Sequence, residues 1–301
     1  MTTLDQACQQ FLAHSQSANS LSRHTLRAYT SDLKDFQHFL SGQEKLAAIG
    51  KEHLRQYIRH LREHRKLKET TIKRRVACLK LLFHWIRREG MLGTSPFDTL
   101  NERIRLPKRL PRAIDSGDAA RLRKAIVLGK EPEDHDVLCE KTAVCLLLET
   151  GIRVGELASI QISDISLADS RIRIHGKGNR QRFAYLLSPA AHAAIRHYLP
   201  IRKQTAANNA HLFVTQKGRT MTPALLRKAL RRIVKHAGIE IHVTPHMLRH
   251  TCATQWLEDG LDIRYVQKLL GHHSISTTEI YTHVSDQGLR EALMRVSQGR
   301  G

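Results

Sequence analysis

The residues with the clearest chemistry lie between Val243 and His283. The stretch opens Val-Thr-Pro-His-Met-Leu-Arg-His-Thr, continues as a helical run, and then gives Leu-Leu-Gly-His-His-Ser and Thr-Thr-Glu-Ile-Tyr-Thr-His. His246 and Arg249 are three apart and share one helical face. His272 follows Gly271 at once, and Tyr281 comes nine residues later, beyond a Ser/Thr-rich turn. Two imidazoles, a guanidinium and a phenol, with no carboxylate pair, suit a phosphodiester. Arginine offers a planar fork to two phosphate oxygens. Histidine donates to a third oxygen or moves a proton near neutral pH. Tyrosine can attack phosphorus and form a covalent phosphotyrosine.

Three pieces of the stretch closely resemble the tyrosine recombinase (phage integrase) family, and most closely its bacterial Xer-like members. They are His246-Met247-Leu248-Arg249-His250-Thr251, Leu270-Gly271-His272 and Ile280-Tyr281-Thr282-His283. The resemblance implies a site-specific recombinase that cuts and rejoins DNA through a 3′-phosphotyrosyl intermediate, for integration, excision or resolution. It also implies roles upstream. Arg153, in Thr150-Gly151-Ile152-Arg153-Val154-Gly155-Glu156, matches the first phosphate-binding arginine. Glu156 matches a nearby acidic residue that orients Arg153 or a histidine. Lys177, in the turn Gly176-Lys177-Gly178-Asn179, matches a general acid that enters the minor groove and protonates the leaving 5′-oxygen. Arg153 and Arg249 would then clamp the scissile phosphate, with His272 on one of its oxygens. His246 would take the proton of Tyr281, whose phenol ordinarily titrates at about 10. No metal, ATP or other cofactor is implied. The motifs cover about residues 110–290; residues 1–105 resemble the family by helical pattern alone.

The elements that must position these groups are legible as patterns. Residues 1–105 read as a helical, DNA-binding bundle of four helices. Its apolar stripes are Leu4-Ala7-Phe11-Leu12, then Leu26-Tyr29-Leu33-Phe36-Leu40, then Leu54-Tyr57-Ile58-Leu61, and last Ile72-Val76-Leu79-Phe83-Ile86. Ser22 is expected to cap the second helix, Gly42 to stop it, and the fourth to start near Thr70 and end at Gly90. Residues 106–113, holding Pro107 and Pro111, read as a basic linker. Residues 114–301 read as an α+β catalytic domain. A helix begins after Asp115, a polar loop spans 129–136, and a buried helix runs from Val137 through Leu148. Ile162, Ile165 and Leu167 suggest a first strand. Arg171–His175 alternates as a second, and Gln181–Leu187 returns as a third. Helices are expected over Ala190–Leu199 and from Pro223, then at Pro245 behind the cap Thr244. A last amphipathic segment, Val284–Ser297, would dock on its own domain or on a neighbouring subunit. The fold class is thus mainly α with a small antiparallel sheet, arranged, if the resemblance holds, as a two-domain clamp.

Lys plus Arg is 49 against 28 Asp plus Glu, a net charge of +21 that favours a polyanionic partner. Residues 51–105 hold 15 Lys/Arg against 6 Asp/Glu, so acidic partners for a salt-bridged surface look scarce there. The expected duplex contacts are Arg55, Arg59, Arg62, Lys73, Arg74 and Arg75 in the bundle. Arg180 and Arg182 beside the hairpin, and Arg227, Lys228, Arg231 and Arg232 on the basic helix from Pro223, extend them. The resemblance implies a double-stranded recombination site bound by a homo-oligomer, a dimer per site and a tetramer in synapsis, or by a paralogous pair. Five cysteines without Cys-x-x-Cys suggest reduced thiols, and neither a secretion signal nor a membrane span is read, so the cytoplasm is expected. A metal-dependent nuclease is disfavoured because His246 and His250 lack the Glu of His-Glu-x-x-His and no aspartate cluster occurs. A type IB topoisomerase and a catalytically silent DNA-binding protein are the closer alternatives.

Overall fold

The computed structural model describes residues 2–17, 23–41, 45–100, 113–127, 134–176 and 181–271. The chain divides into two compact units, Met1–Arg109 and Leu110–Gly301.

In the first unit α1 (Leu4–Ser17) starts because Thr3 and Gln6 satisfy each other's amides. The Gln6 N–H donates to Thr3 Oγ1 at 3.3 Å, and the Thr3 N–H donates to Gln6 Oε1 at 3.1 Å. Leu4, Ala7, Cys8 and Phe11, at helical spacing, bury one face. They share a core with Leu33 and Phe36 of α2 (Arg23–Phe39), Leu54 and Tyr57 of α3 (Lys51–Arg59), and Ile72, Leu79 and Phe83 of α4 (Glu69–Arg88). The third helix is less regular than its stripe suggests. It ends in a wide π turn over His60–His64, closed by the Arg65 N–H on the His60 carbonyl at 3.0 Å. The wider turn keeps Leu61 fully buried. Gly90, at φ +71°, lets the chain leave α4 in a left-handed turn. The expected cap Ser22 and stop Gly42 lie outside the described residues.

In the second unit Asp115 caps α5 (Ser116–Ala125), accepting from the Asp118 N–H at 2.8 Å. The central element is α6 (His135–Thr150), which is apolar nearly all round and buried accordingly. Val137 is the exception among its apolar residues, at 45% exposure. α6 packs against α8 (Pro189–Thr205), α9 (Pro223–His236) and α10 (Pro245–Glu258). The short α7 (Val154–Ser159) and α11 (Ile263–Leu270) complete the helices. α8 runs past the expected end at Leu199 and through Pro200. Buried Tyr198 and Arg202 hold that extension, and Arg202 donates to the Ala206 and His211 carbonyls at 2.9 and 2.7 Å.

The sheet is antiparallel in the order β1 (Ile165–Ser166), β2 (Arg171–His175), β3 (Gln181–Tyr185). The expected first strand is cut to two residues because Asp164 accepts from the Gln161 N–H at 3.0 Å and closes a 3-10 turn over Ile162–Asp164. β2 and β3 pair from Arg171↔Tyr185 to His175↔Gln181. The expected helix over Val284–Ser297 lies outside the described residues.

Candidate active site

The N-terminus of α10 brings the first two groups together. Thr244 Oγ1 accepts from the Met247 N–H at 3.3 Å and Pro245 occupies the first turn, so His246 and Arg249 follow in fixed register. Arg249 is 3% exposed. One guanidinium nitrogen donates to the Gly151 carbonyl at 2.7 Å and the other to the Leu270 carbonyl at 2.6 Å. These carbonyls belong to the ends of α6 and α11, where helices leave acceptors unsatisfied and carry partial negative charge. Both helices end in a left-handed glycine, Gly151 at φ +60° and Gly271 at φ +66°. At Gly151 a Cβ would lie 2.9 Å from Leu270 Cδ2, so any other residue would have to push the buried tip of Leu270 aside as well as adopt a positive φ.

Arg153 caps the start of α7. Its N–H donates to Glu156 Oε2 at 3.0 Å and its guanidinium to Glu156 Oε1 at 3.0 Å, while the side chain stays 40% exposed. Glu156 also accepts from Arg182 at 2.9 Å. Burial alone would raise the Glu156 carboxyl, but Arg182, the Arg153 N–H and the Arg153 charge hold it below its ordinary value of 4.5. His246 titrates below its ordinary value of 6.5, through partial desolvation first and then the charges of Arg249, Arg153 and Arg227. Its imidazole is therefore neutral at pH 7 and able to accept a proton.

Arg153, Glu156, Arg182, Arg227, His246 and Arg249 line one cleft of about 1490 Å³. Gly176 and Gly271, the described residues immediately before Lys177 and His272, line it too. Lys177, Arg180, His272 and Tyr281 themselves lie outside the described residues. Tyr265 adds an exposed ring to the wall, 63% accessible. Among the described residues no group of three or more His, Cys, Asp or Glu could hold a metal ion.

The expected duplex contacts separate into three kinds. Arg59, Lys73, Arg227, Lys228 and Arg231 are exposed. Arg55, Arg62, Arg74 and Arg232 reach solvent while pairing with Glu52, Glu69, Asp32 and Glu140 respectively. Arg75 and Arg182 are the least exposed of the set and are engaged in ion pairs. Arg75, with 11% of its side chain exposed, pairs with Asp35 and lies 3.4 Å from the Tyr57 hydroxyl, which in turn donates to Asp35 at 2.8 Å. Acidic partners look scarce within residues 51–105 because they come from α2, as Asp32 and Asp35. The Glu156–Arg182 pair had no sequence signal, since 26 residues separate its members.

The family described as "Phage integrase family" matches residues 125–288, and "Phage integrase, N-terminal SAM-like domain" matches residues 8–90. The chain is 34% identical to "Tyrosine recombinase XerD" of Halalkalibacterium halodurans, covering 97% of each protein. It is 34% identical to "Tyrosine recombinase XerC" of Listeria innocua, covering 98% of each. Among solved structures it is similar to the XerH site-specific recombinase bound to a palindromic difH substrate in a post-cleavage complex. That likeness has a TM-score of 0.77 and 25% identity, over 95% of this chain and 84% of the other.

Proposed function

Because the chain belongs to the phage integrase family of tyrosine recombinases, we propose that it recombines DNA at specific sites by nucleophilic attack of Tyr281 on a scissile phosphate. The observation that carries this reading is the pair of arginines on one cleft. Arg249 is locked by two helix-end carbonyls and Arg153 is oriented by Glu156. Preorganised guanidiniums stabilise charge that develops on the phosphorane without reorganising as it forms. His272 adds a donor to one phosphate oxygen. His246, held neutral, takes the Tyr281 proton as the phenol attacks phosphorus, and Lys177 protonates the departing 5′-oxygen. The 3′-phosphotyrosine then retains the energy of the broken phosphodiester, so a 5′-hydroxyl of the partner duplex reverses the step. Neither ATP nor a metal ion is needed for that balance.

The substrate is a double-stranded recombination site, taken by a dimer on each site and a tetramer in synapsis. The exposed cations Arg59, Lys73, Arg227, Lys228 and Arg231 are the best candidates for its backbone. Among the described residues no helix is long and apolar enough to cross a membrane. The five cysteines are buried and unpaired, which suits a reducing cytoplasm.

The test is a nicked suicide duplex incubated with the wild type and with Tyr281→Phe in EDTA. The expected result is a denaturant-stable protein–DNA adduct in the first and none in the second. An adduct that persists in Tyr281→Phe, or that requires a divalent ion, overturns the proposal. Relaxation of supercoils by isolated monomers, without exchange between two sites, would favour the topoisomerase alternative.

A further inference from the structure

Arg182 is the second residue of β3, opposite Ile174 of β2, and its side chain lies along the cleft wall. Only 14% of the side chain is exposed. Its Nη2 donates to Glu156 Oε2 at 2.9 Å, and that same oxygen accepts from the Arg153 N–H at 3.0 Å. Its Nε donates to the Leu269 carbonyl at 2.9 Å, one residue before the Leu270 carbonyl that holds Arg249. Gly271 covers the same guanidinium. A Cβ there would stand 3.0 Å from Arg182 Cδ and 3.1 Å from Nε.

We propose that Arg182 is a positioning residue for strand cleavage, setting the spacing between Arg153 and Arg249 by tying Glu156 to the C-terminal turn of α11. The inference rests on the reading of Arg153 and Arg249 as the phosphate clamp. The path is continuous: Arg153 to the Glu156 carboxylate, the carboxylate to Arg182, Arg182 to the last turn of α11, and that turn to Arg249. A guanidinium suits the task because its donors are coplanar and fixed in direction. Two hydrogen bonds on one rigid plane set a distance, as a flexible ammonium with one reachable acceptor would not. The root of Arg182 is fixed by the β2–β3 ladder, so the device is anchored to the sheet. A left-handed glycine at 271 lets the backbone approach the guanidinium closely, because a Cβ there would press on Arg182 Cδ and Nε.

The experiment uses the full-length chain on a suicide duplex at saturating DNA, comparing wild type, Arg182→Met, Arg182→Lys, Glu156→Gln and the Arg182→Met/Glu156→Gln double variant. Arg182→Met is expected to bind duplex with the wild-type affinity and salt dependence, yet to form the Tyr281 adduct about 10²-fold more slowly. Arg182→Lys keeps the charge but loses the fork, and is expected to be slow as well. Glu156→Gln should slow the same step, and adding Arg182→Met to it should change the rate by no more than about twofold, because the two act as one unit. If Arg182→Met fails to fold, Arg182→Lys with Glu156→Gln completes the same cycle. The inference is overturned if Arg182→Met weakens duplex binding and lowers the salt slope by about one while the saturated rate is unchanged. It is equally overturned if the two substitutions multiply. A wild type that forms no Tyr281-dependent adduct refutes the recombinase reading instead, which the same gel distinguishes.

Discussion

A histidine flanked by guanidiniums loses basicity, and His246 faces three, from α10, the start of α7 and α9. Desolvation acts first and these charges add to it, so the neutral ring persists below its ordinary value of 6.5. If His246 is the base, the acid limb of cleavage at subsaturating duplex, which reports the free protein, lies below pH 6.5. Removing one cation makes the imidazolium less unfavourable and raises the folded-state pKa. Arg227→Met should therefore move that limb to higher pH, measured under subsaturating duplex across pH 5 to 8. A limb that stays put or moves down argues against His246 as the group that titrates. At this scale His246 and Arg249 were legible because two residue types three apart define a helical face. Arg182 was not, because an arginine that follows a basic turn carries no mark of the carboxylate it will meet.

At the scale of elements, the site depends on where helices stop. The last carbonyls of α6 and α11 serve as acceptors for Arg249, and both helices end on a left-handed glycine. Gly151→Ala meets two penalties, a strained φ of +60° and a Cβ 2.9 Å from Leu270. The strain alone costs about 1–3 kcal/mol, and relief of the clash repacks the Leu270 side chain, whose backbone carbonyl holds Arg249. The expected outcome is lower resistance to urea together with slower adduct formation. Gly90→Ala is the control, since its φ of +71° is equally unfavourable but nothing lies within 4 Å of the added methyl. It should cost stability in its own unit and leave cleavage at the wild-type rate. Equal rates in the two variants would mean that the glycine at 151 has no part in holding Arg249. That the Gly151 and Leu270 carbonyls converge on one guanidinium had no trace in the sequence.

For the whole molecule the net charge of +21 predicts salt-sensitive binding to a polyanion, and the structure separates cations that can serve it from cations committed elsewhere. Lys73 and Arg59 are exposed, whereas Arg75 pairs with Asp35 across α2 and α4. Lys73→Met and Arg59→Met should each weaken binding to any duplex and lower the slope of log affinity against log salt by about one. Arg75→Met should leave that slope unchanged and lower the unfolding midpoint, because it takes a cation from a largely buried pair of carboxylates. Salt titrations with specific and scrambled duplexes, beside urea unfolding, check both. An Arg75→Met variant with full stability and a reduced slope would put this residue back on the DNA.

The sequence by itself determined the helical character of the first unit, the order of helices and hairpin in the second, and the motifs on which the proposed chemistry rests. Each of these follows from a local cause: apolar spacing, a capping side chain, a proline or glycine at a helix end, or a short ordered motif. Only the tertiary structure decided which arginines face solvent and which hold the site together. An ion pair is fixed by where two distant backbones come to lie, and separations of 26 residues for Glu156 and Arg182, or 98 for Gly151 and Arg249, leave no periodic trace in the chain.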